Sequence, residues 1–393
     1  MTGSAGSPPA VGVIGCGMVS HAYLGTILRS DAVRLKAVSS RTLASAAAQA
    51  SRYHCTAMTT ADLLADPEIE FVVNLAPPLV HHAIGRAILE AGKHPYSEKP
   101  FATRLEDARD LLDLAERRGL SIACAPDTFL GEGSQRARRL VDRGAIGSVI
   151  GGSVAMLSRG MESWHPNPAF FYRRGGGPLL DVGPYYVTQL VNLLGPVAEV
   201  VAIGTRPHET RKGREGEPIP VEIATSVNAA LLFESGANVA LSLSWDVTRH
   251  RRAPIELYGD QGSLQAPDPN VFSGVTRTSK GGDWAVHGVE SAGPKIDSAG
   301  LARAVRLIGQ GVDPVSGRPL GADCLLAVGD KRGIGLLDQV ESVRQDRPAR
   351  ANGQLAYHVL EALLALEASA EGMGRVAIGS RVTRPAPLPE AGD

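Results

Sequence analysis

Short β-branched runs alternate with stretches of helical spacing through the first third of the chain. Ala10–Ile14 is apolar and ends at a glycine, and apolar residues then recur at helical spacing from Met18 to Leu28. That pattern predicts a strand, a turn and a helix. Val33–Val38 reads as a second strand and the alanine-rich Leu43–Ser51 as a second helix. Ile69–Leu75 follows as a strand, His82–Ala91 as a helix closed by Gly92, and Pro95–Ser97 as a short strand. Leu105–Arg118, closed by Gly119, and Ser121–Ala125 continue the alternation. Strands alternating with helices imply right-handed crossovers and an α/β, doubly wound parallel sheet covered on both faces, over residues 1–126.

Past Pro126 the rhythm changes. Gln135–Arg143 predicts a helix, and Val149–Ser158, Val197–Thr205, Ile223–Phe233, Asn238–Ser244 and Pro254–Tyr258 predict strands. Glu234-Ser235-Gly236 between two of them is a hairpin signal, so this second sheet is expected to be antiparallel or mixed. A helix over Gly183–Leu194 is expected to pack among these strands. Arg206–Pro220 reads as an exposed loop, Gly259–Gly300 as turns and short strands, and Leu355–Met373 as a long helix. Residues 127–384 thus form a second domain, and 385–393 a frayed tail.

Composition narrows the function classes. With 44% hydrophobic and 21% charged residues the chain is ordinary globular material. A formal net charge of -1 offers no field for nucleic acid or an anionic membrane, so neither is an expected partner. The four cysteines, Cys16, Cys55, Cys124 and Cys324, are scattered without metal-ligand spacing, which argues for reduced thiols and no metal. His81 and His82 are adjacent on a helix and point different ways, so they make no metal pair. Without a leader-like start or a membrane-length apolar run, the expected location is the cytoplasm.

The chemistry begins at Gly15-Cys16-Gly17-Met18-Val19-Ser20, which follows a strand and opens a helix. The first glycine permits a tight turn and the second lets a pyrophosphate approach the backbone and helix N-terminus. The second strand ends in Val38-Ser39-Ser40-Arg41, with no acid to receive a ribose 2′-hydroxyl. Hydroxyls beside a guanidinium suit a 2′-phosphate, so NADP(H) is expected ahead of NAD(H); the alternative is a helix N-cap with Arg41 in solvent. Asp127 follows the last strand of this unit, at the sheet edge where ligands bind, and is expected near the nicotinamide. Glu98-Lys99-Pro100 follows the nucleotide unit, and Asp181 and Tyr185 stand one helical turn apart in the second domain. Together Lys99, Tyr185 and Asp181 are a candidate acid/base set for moving a hydride to or from a sugar-like alcohol. Tyr185 is the expected general acid/base, with a lysine ammonium lowering its phenol; the alternative is a buried packing tyrosine. The aromatic and polar loop with Trp164, His165, Asn167 and Tyr172 suits a sugar's C–H faces and hydroxyls, or else is purely structural. Arg174, Asp181 and Tyr186 are the neighbouring substrate candidates.

Gly15-x-Gly17, Asn74-Leu-Ala-Pro77, His81, Ala91-Gly-Lys-His94, Glu98-Lys99-Pro100 and Gly175-Gly-Gly-Pro-Leu-Leu-Asp181-x-Gly183 together resemble the Gfo/Idh/MocA family of sugar and cyclitol oxidoreductases. The resemblance implies a Rossmann domain followed by an α/β domain whose open-faced, largely antiparallel sheet often mediates homodimers or homotetramers. It implies that Lys99 touches both substrate and nicotinamide ribose, that the next proline is often cis, and that Asn74, Pro77, His81 and Glu98 belong to the cofactor loops. Tyr185 stands where many members have histidine and a minority, among them enzymes similar to glucose-fructose oxidoreductase, dihydrodiol dehydrogenase and some nucleotide-sugar 3-ketoreductases, have tyrosine. The family also contains enzymes that retain NAD while cleaving or epimerising a glycoside, and a dinucleotide-binding co-repressor without catalysis; both are rival expectations.

Overall fold

The computed structural model describes residues 7–162, 164–165, 167–288 and 330–389. They divide into two compact units, one holding residues up to 127 with a returning stretch that ends at Gly353, the other the remainder.

In the first unit six strands lie in the order β3-β2-β1-β4-β5-β6, all parallel: β1 Ala10–Ile14, β2 Arg34–Ser39, β3 Thr56–Ala57, β4 Ile69–Asn74, β5 His94–Ser97 and β6 Ala123–Cys124. Helices α1 Ser20–Leu28, α2 Leu43–Tyr53, α3 Thr60–Ala65, α4 His81–Glu90 and α5 Leu105–Arg118 connect them. Alternation within β1 shows why the sheet is covered on both faces: Val11 and Val13 pack with Tyr23, Leu24 and Phe71 on one side, whereas Ala10 and Ile14 pack with Leu63, Val72 and Ile88 on the other. The two-residue β3 and the six-residue α3 were not expected. Both are too short to carry a period, and α3 is fixed by Thr59, whose hydroxyl accepts from the Asp62 amide at 3.1 Å.

The domain division read from sequence needs one correction. Helix Ile334–Arg344 belongs to the first unit, where Leu336 and Val340 complete the apolar layer around Tyr23 and Tyr96. The chain then pairs beside β6, with Cys124 N donating to Ala351 O and Gly353 N to Ile122 O, both at 2.9 Å. Neither this helix nor its return to the first unit was among the elements expected from the sequence.

In the second unit α6 Glu132–Asp142 precedes a nine-stranded mixed sheet. Its members are β7 Val149–Leu157, β8 Val197–Thr205, β11 Ser226–Phe233, β12 Asn238–Ser244, β13 Ile255–Gly259, β14 Gly262–Ala266, β15 Thr276–Ser279, β16 Ala285–His287 and β17 Val376–Ala377, while β9 Thr210–Lys212 and β10 Pro218–Pro220 form a separate ribbon. Only β7 and β12 pair in parallel. The expected hairpin is present: Gly236, at φ 87°, closes the turn between β11 and β12. One sheet face is buried through Val227, Leu231, Leu241 and Leu257, and the other leaves Val201, Ile203 and Leu232 exposed. Helices α7 Gly177–Asp181 and α8 Gly183–Leu194 follow β7, and all twelve residues of α8 are buried. A Cβ at Gly183 would lie 2.6 Å from Leu363 of helix Gly353–Ala368, so that helix covers α8 closely.

Arg206–Pro220 is not a plain exposed loop, because β9 brings Arg211 into a half-buried ion-pair cluster. The segment after Pro385 is docked rather than frayed: Arg138 Nη1 donates to Pro385 O at 2.9 Å, and Leu388 N donates to Gln135 Oε1 at 2.8 Å. Residues 289–300 of the expected turn region and the last four residues of the expected tail lie outside the described residues.

Candidate functional site

Gly15 leaves β1 at φ 110°, and a Cβ there would lie 2.6 Å from Leu75 O, so only glycine fits the turn. Gly17 has nothing within 4 Å of its would-be Cβ, and Gly17 and Met18 are exposed, with Val19 half-buried before α1. Helix α1 has no side-chain cap at its N-terminus and no acid in its first turn. An open backbone approach to an uncapped helix end is the donor set a pyrophosphate requires, so these residues fit a dinucleotide. Ser20 replaces the third glycine and is held inward, its hydroxyl donating to Gly17 O at 2.6 Å and accepting from Gln49 Nε2 at 2.9 Å.

Of the three residues after Val38, Arg41 is exposed and Ser40 half-buried, both available to a ligand. Ser39 is placed differently from the expectation. It is fully buried, its hydroxyl bonds that of Thr60 at 2.7 Å, and its carbonyl accepts the Gly15 amide at 2.8 Å, so it shapes the turn through its backbone.

Glu98 and His81 build the loop that carries Lys99. One Glu98 oxygen accepts from the Tyr23 hydroxyl at 2.8 Å and the other from the Lys99 amide at 2.9 Å, which fixes the backbone at Lys99. The Lys99–Pro100 peptide is cis, as the resemblance implied, and Lys99 is half-buried. His81 is fully buried, with Nδ1 2.8 Å from Pro100 O and Nε2 2.7 Å from Ala76 O. Burial pulls its pKa down, while the two carbonyls favour the charged form. The imidazole thus ties the loop after β4 to the loop after β5. Asn74, also fully buried, donates to His81 O at 3.2 Å and accepts the Ala76 amide at 3.3 Å, whereas Pro77 is exposed on the same loop.

Asp127 is a second placement that differs from expectation. It is almost fully buried, and its Oδ2 accepts from the amides of Gly333 and Gly335 at 2.8 and 2.9 Å, so it caps helix Ile334–Arg344. Among the described residues its Oδ1 has no hydrogen-bond partner, and burial raises its pKa to about 6 against the two amides that lower it. The Oδ2 atom expected near a nicotinamide serves the returning helix.

In the second unit Asp181 ends α7 and Tyr185 stands in the first turn of α8, with a break at Val182 between them. Asp181 is half-buried and Tyr185 is 7% exposed. His165 comes near Asp181, whose charge acts on it: burial lowers the imidazole pKa and Asp181 opposes that. Its Nδ1 accepts the Asn167 amide at 3.1 Å, which leaves the proton of the neutral ring on Nε2. Trp164 is half-buried and meets His165 edge-on at 5.4 Å, and Asn167 is exposed.

Tyr172 and Tyr186 are committed elsewhere. Tyr172 is fully buried against Trp245, and its hydroxyl donates to Glu162 and accepts the Met161 amide at 3.2 Å. Tyr186 is buried and its hydroxyl donates to Asp268 Oδ1 at 3.3 Å; burial raises the pKa of both groups. Arg174 is well exposed, with Glu371 3.8 Å away. The cluster behind Tyr172 was missed in the sequence. Arg211 reaches Glu162 Oε1 at 3.1 Å and Asp246 Oδ1 at 2.6 Å, and Thr225 donates to Asp246 Oδ2 at 2.7 Å. No local pattern marks residues brought together from four separate segments of the chain. Among the described residues no group of three or more His, Cys, Asp or Glu could hold a metal, and no helix is long and apolar enough to cross a membrane.

Residues 10–125 match the profile described as "Oxidoreductase family, NAD-binding Rossmann fold", and residues 134–265 match "GFO/IDH/MocA C-terminal domain". The dTDP-3,4-didehydro-2,6-dideoxy-alpha-D-glucose 3-reductase of Streptomyces violaceoruber is 31% identical over 323 residues, covering 79% of this chain and 89% of its own length. The levoglucosan dehydrogenase of Pseudarthrobacter phenanthrenivorans is 25% identical over 56% of this chain and 61% of its own. Among solved structures, a levoglucosan dehydrogenase in complex with NADH and L-sorbose shares the fold with a TM-score of 0.77 at 19% identity, covering 95% of this chain and 100% of that one.

Proposed function

Since the chain belongs to the Gfo/Idh/MocA oxidoreductase family, whose NAD-binding Rossmann domain it carries, we propose that it interconverts a secondary alcohol and a ketone on a sugar, glycoside or cyclitol, with NADP(H) preferred. The observation that carries this reading is Lys99, held on a backbone fixed by Glu98 at the carboxyl end of β5, in a chain that also keeps Asp181 and Tyr185. A bound nicotinamide supplies the hydride acceptor in oxidation and the donor in reduction. In oxidation the substrate hydroxyl gives its proton to Tyr185 Oη as the carbon-bound hydrogen leaves as hydride, and the carbon becomes a ketone. In reduction Tyr185 returns that proton to the new alkoxide. Lys99 acts with Tyr185 in that proton transfer. Asp181 binds a substrate hydroxyl, and His165 donates a second hydrogen bond from Nε2. Trp164 and Asn167 line the sugar side. The exposed sheet face with Val201, Ile203 and Leu232 supports a homo-oligomer built through that sheet.

The test is reduction of NADP+ and of NAD+ against a panel of sugars, inositols, glycosides and dTDP-sugars, repeated with Arg41→Ala. Sugar-dependent NADPH formation is expected. The substitution should weaken NADP(H) by about 1.5–3 kcal/mol, the value of a hydrogen bond to a charged group, and spare NAD(H). A wild type that strongly prefers NAD+ would refute the cofactor choice. No turnover of any sugar in either direction would refute the reaction.

A further inference from the structure

We propose that Arg211, on the β9–β10 ribbon, is a positioning residue for the sugar: it anchors the turn that presents Trp164 and His165, a role that rests on the sugar oxidoreductase reading above and deepens it. The turn is closed by one atom. Met161 O accepts from the amides of Trp164 and His165 at 3.2 and 2.9 Å, so both side chains go where Met161 and its neighbour Glu162 are held. Arg211 holds Glu162. Its Nη1 donates to Glu162 Oε1 at 3.1 Å, and its Nη2 donates to Asp246 Oδ1 at 2.6 Å and to Trp245 O at 2.7 Å.

The far side of this bridge is fixed to the sheet. Trp245 N donates to Thr225 O at 2.9 Å and Thr225 Oγ1 donates to Asp246 Oδ2 at 2.7 Å, where the chain leaves β12 and enters β11. The ribbon holds the arginine in place: Ile219 stands opposite Arg211 and packs with Met161, Tyr172 and Trp245, and the guanidinium lies 5.6 Å from the centre of the Tyr172 ring. The side chains of Arg211, Glu162 and Asp246 keep only 12%, 14% and 12% of their exposure, so salt and water screen the two attractions weakly. One guanidinium thus joins two carboxylates through forked, charge-assisted hydrogen bonds. Without it Glu162 and Asp246 would repel, and Glu162 would take the turn with it. Tyr172 bonds the other Glu162 oxygen, so the tether through Arg211 survives loss of that phenol. Both Nη groups of Arg211 are spent on protein acceptors and its Nε is buried, so it acts through the turn and not on the sugar.

The experiment compares wild type with Arg211→Gln, which removes the charge, and Arg211→Lys, which keeps the charge but loses the fork. Amide hydrogen exchange of the protein with NADP+ and without sugar should be about tenfold or more faster at Trp164 and His165 in Arg211→Gln, intermediate in Arg211→Lys, and unchanged in β11 and β12 of both. In turnover, Arg211→Gln should raise the sugar KM about tenfold, with kcat and the NADP(H) dissociation constant within about twofold of wild type. That rise should shrink to about twofold or less when Trp164 is already alanine, because the two residues then act through one turn. Wild-type exchange at Trp164 and His165 overturns the proposal, as does exchange that rises equally across β11 and β12, or KM losses that multiply in Arg211→Gln/Trp164→Ala. Should Arg211→Gln fail to fold, Arg211→Lys decides by the same readings at smaller size. A wild type that turns over no sugar fails the oxidoreductase reading alone, since the exchange rates judge the anchor without any sugar present.

Discussion

Replacing Asp127 with asparagine tests how the returning helix is held. In the folded protein this carboxyl has a pKa of about 6, raised above its ordinary value of 3.8 chiefly by burial. A raised folded pKa means that the folded state favours the proton. Stability from this group is therefore fully present below about pH 4 and is lost as the pH rises through about 6. The rise from 3.8 to about 6 corresponds to roughly 3 kcal/mol. Asparagine keeps a carbonyl oxygen for the amides of Gly333 and Gly335 but has no charge to bury. The assay is urea unfolding at intervals from pH 4 to 7, followed for wild type and Asp127→Asn in parallel. The variant should gain on the wild type by roughly 3 kcal/mol across that window and by nothing further above pH 7. Two parallel pH profiles would refute the reasoning, as would a variant that loses ground as the pH rises.

Gly15→Ala should cost on the order of 1–3 kcal/mol of stability through its backbone conformation alone, and it should also lower dinucleotide affinity, because the new Cβ collides with Leu75 O; thermal melting and cofactor fluorescence check both. Tyr172→Phe removes the donor to Glu162 and the acceptor for the Met161 amide. It should lower stability by about 1–3 kcal/mol while leaving the sugar KM nearly unchanged, and a large rise in KM at normal stability would return Tyr172 to the substrate. Trp164→Ala should do the reverse, raising the sugar KM with the NADP(H) dissociation constant unmoved.

Much of the fold was legible because its signals are local. β8, α5, α8 and β12 occupy the ranges that periodicity predicts, since each has a full period and a clear stop such as Gly119 or Gly195. The Gly15 turn and the Lys99 loop were legible because their chemistry needs particular residues in sequence order. What escaped was assembled at long range. Nothing around Asp127 announces that its partners lie at Gly333 and Gly335, and Arg211 gives no hint that it will meet Glu162 and Asp246. Ser39 shows the limit of spacing: it stands at the expected position, yet Thr60 takes its hydroxyl. Tyr172 and Tyr186 follow the same logic, for a phenol near a pocket is as readily spent on Glu162 or Asp268 as on a ligand.

The proposal that Tyr185 and Lys99 share one proton-transfer step is tested most directly by single-turnover kinetics. Hydride transfer would be followed by the absorbance of the reduced nicotinamide for wild type, Lys99→Met, Tyr185→Phe and the double variant, each with its turned-over sugar. Each single variant should lose about 100-fold or more in the transfer rate, and the double variant far less than the product of the two losses. Cofactor binding should persist in Tyr185→Phe. A Tyr185→Phe enzyme that transfers hydride at nearly the wild-type rate would contradict the account and leave His165 as the acid/base.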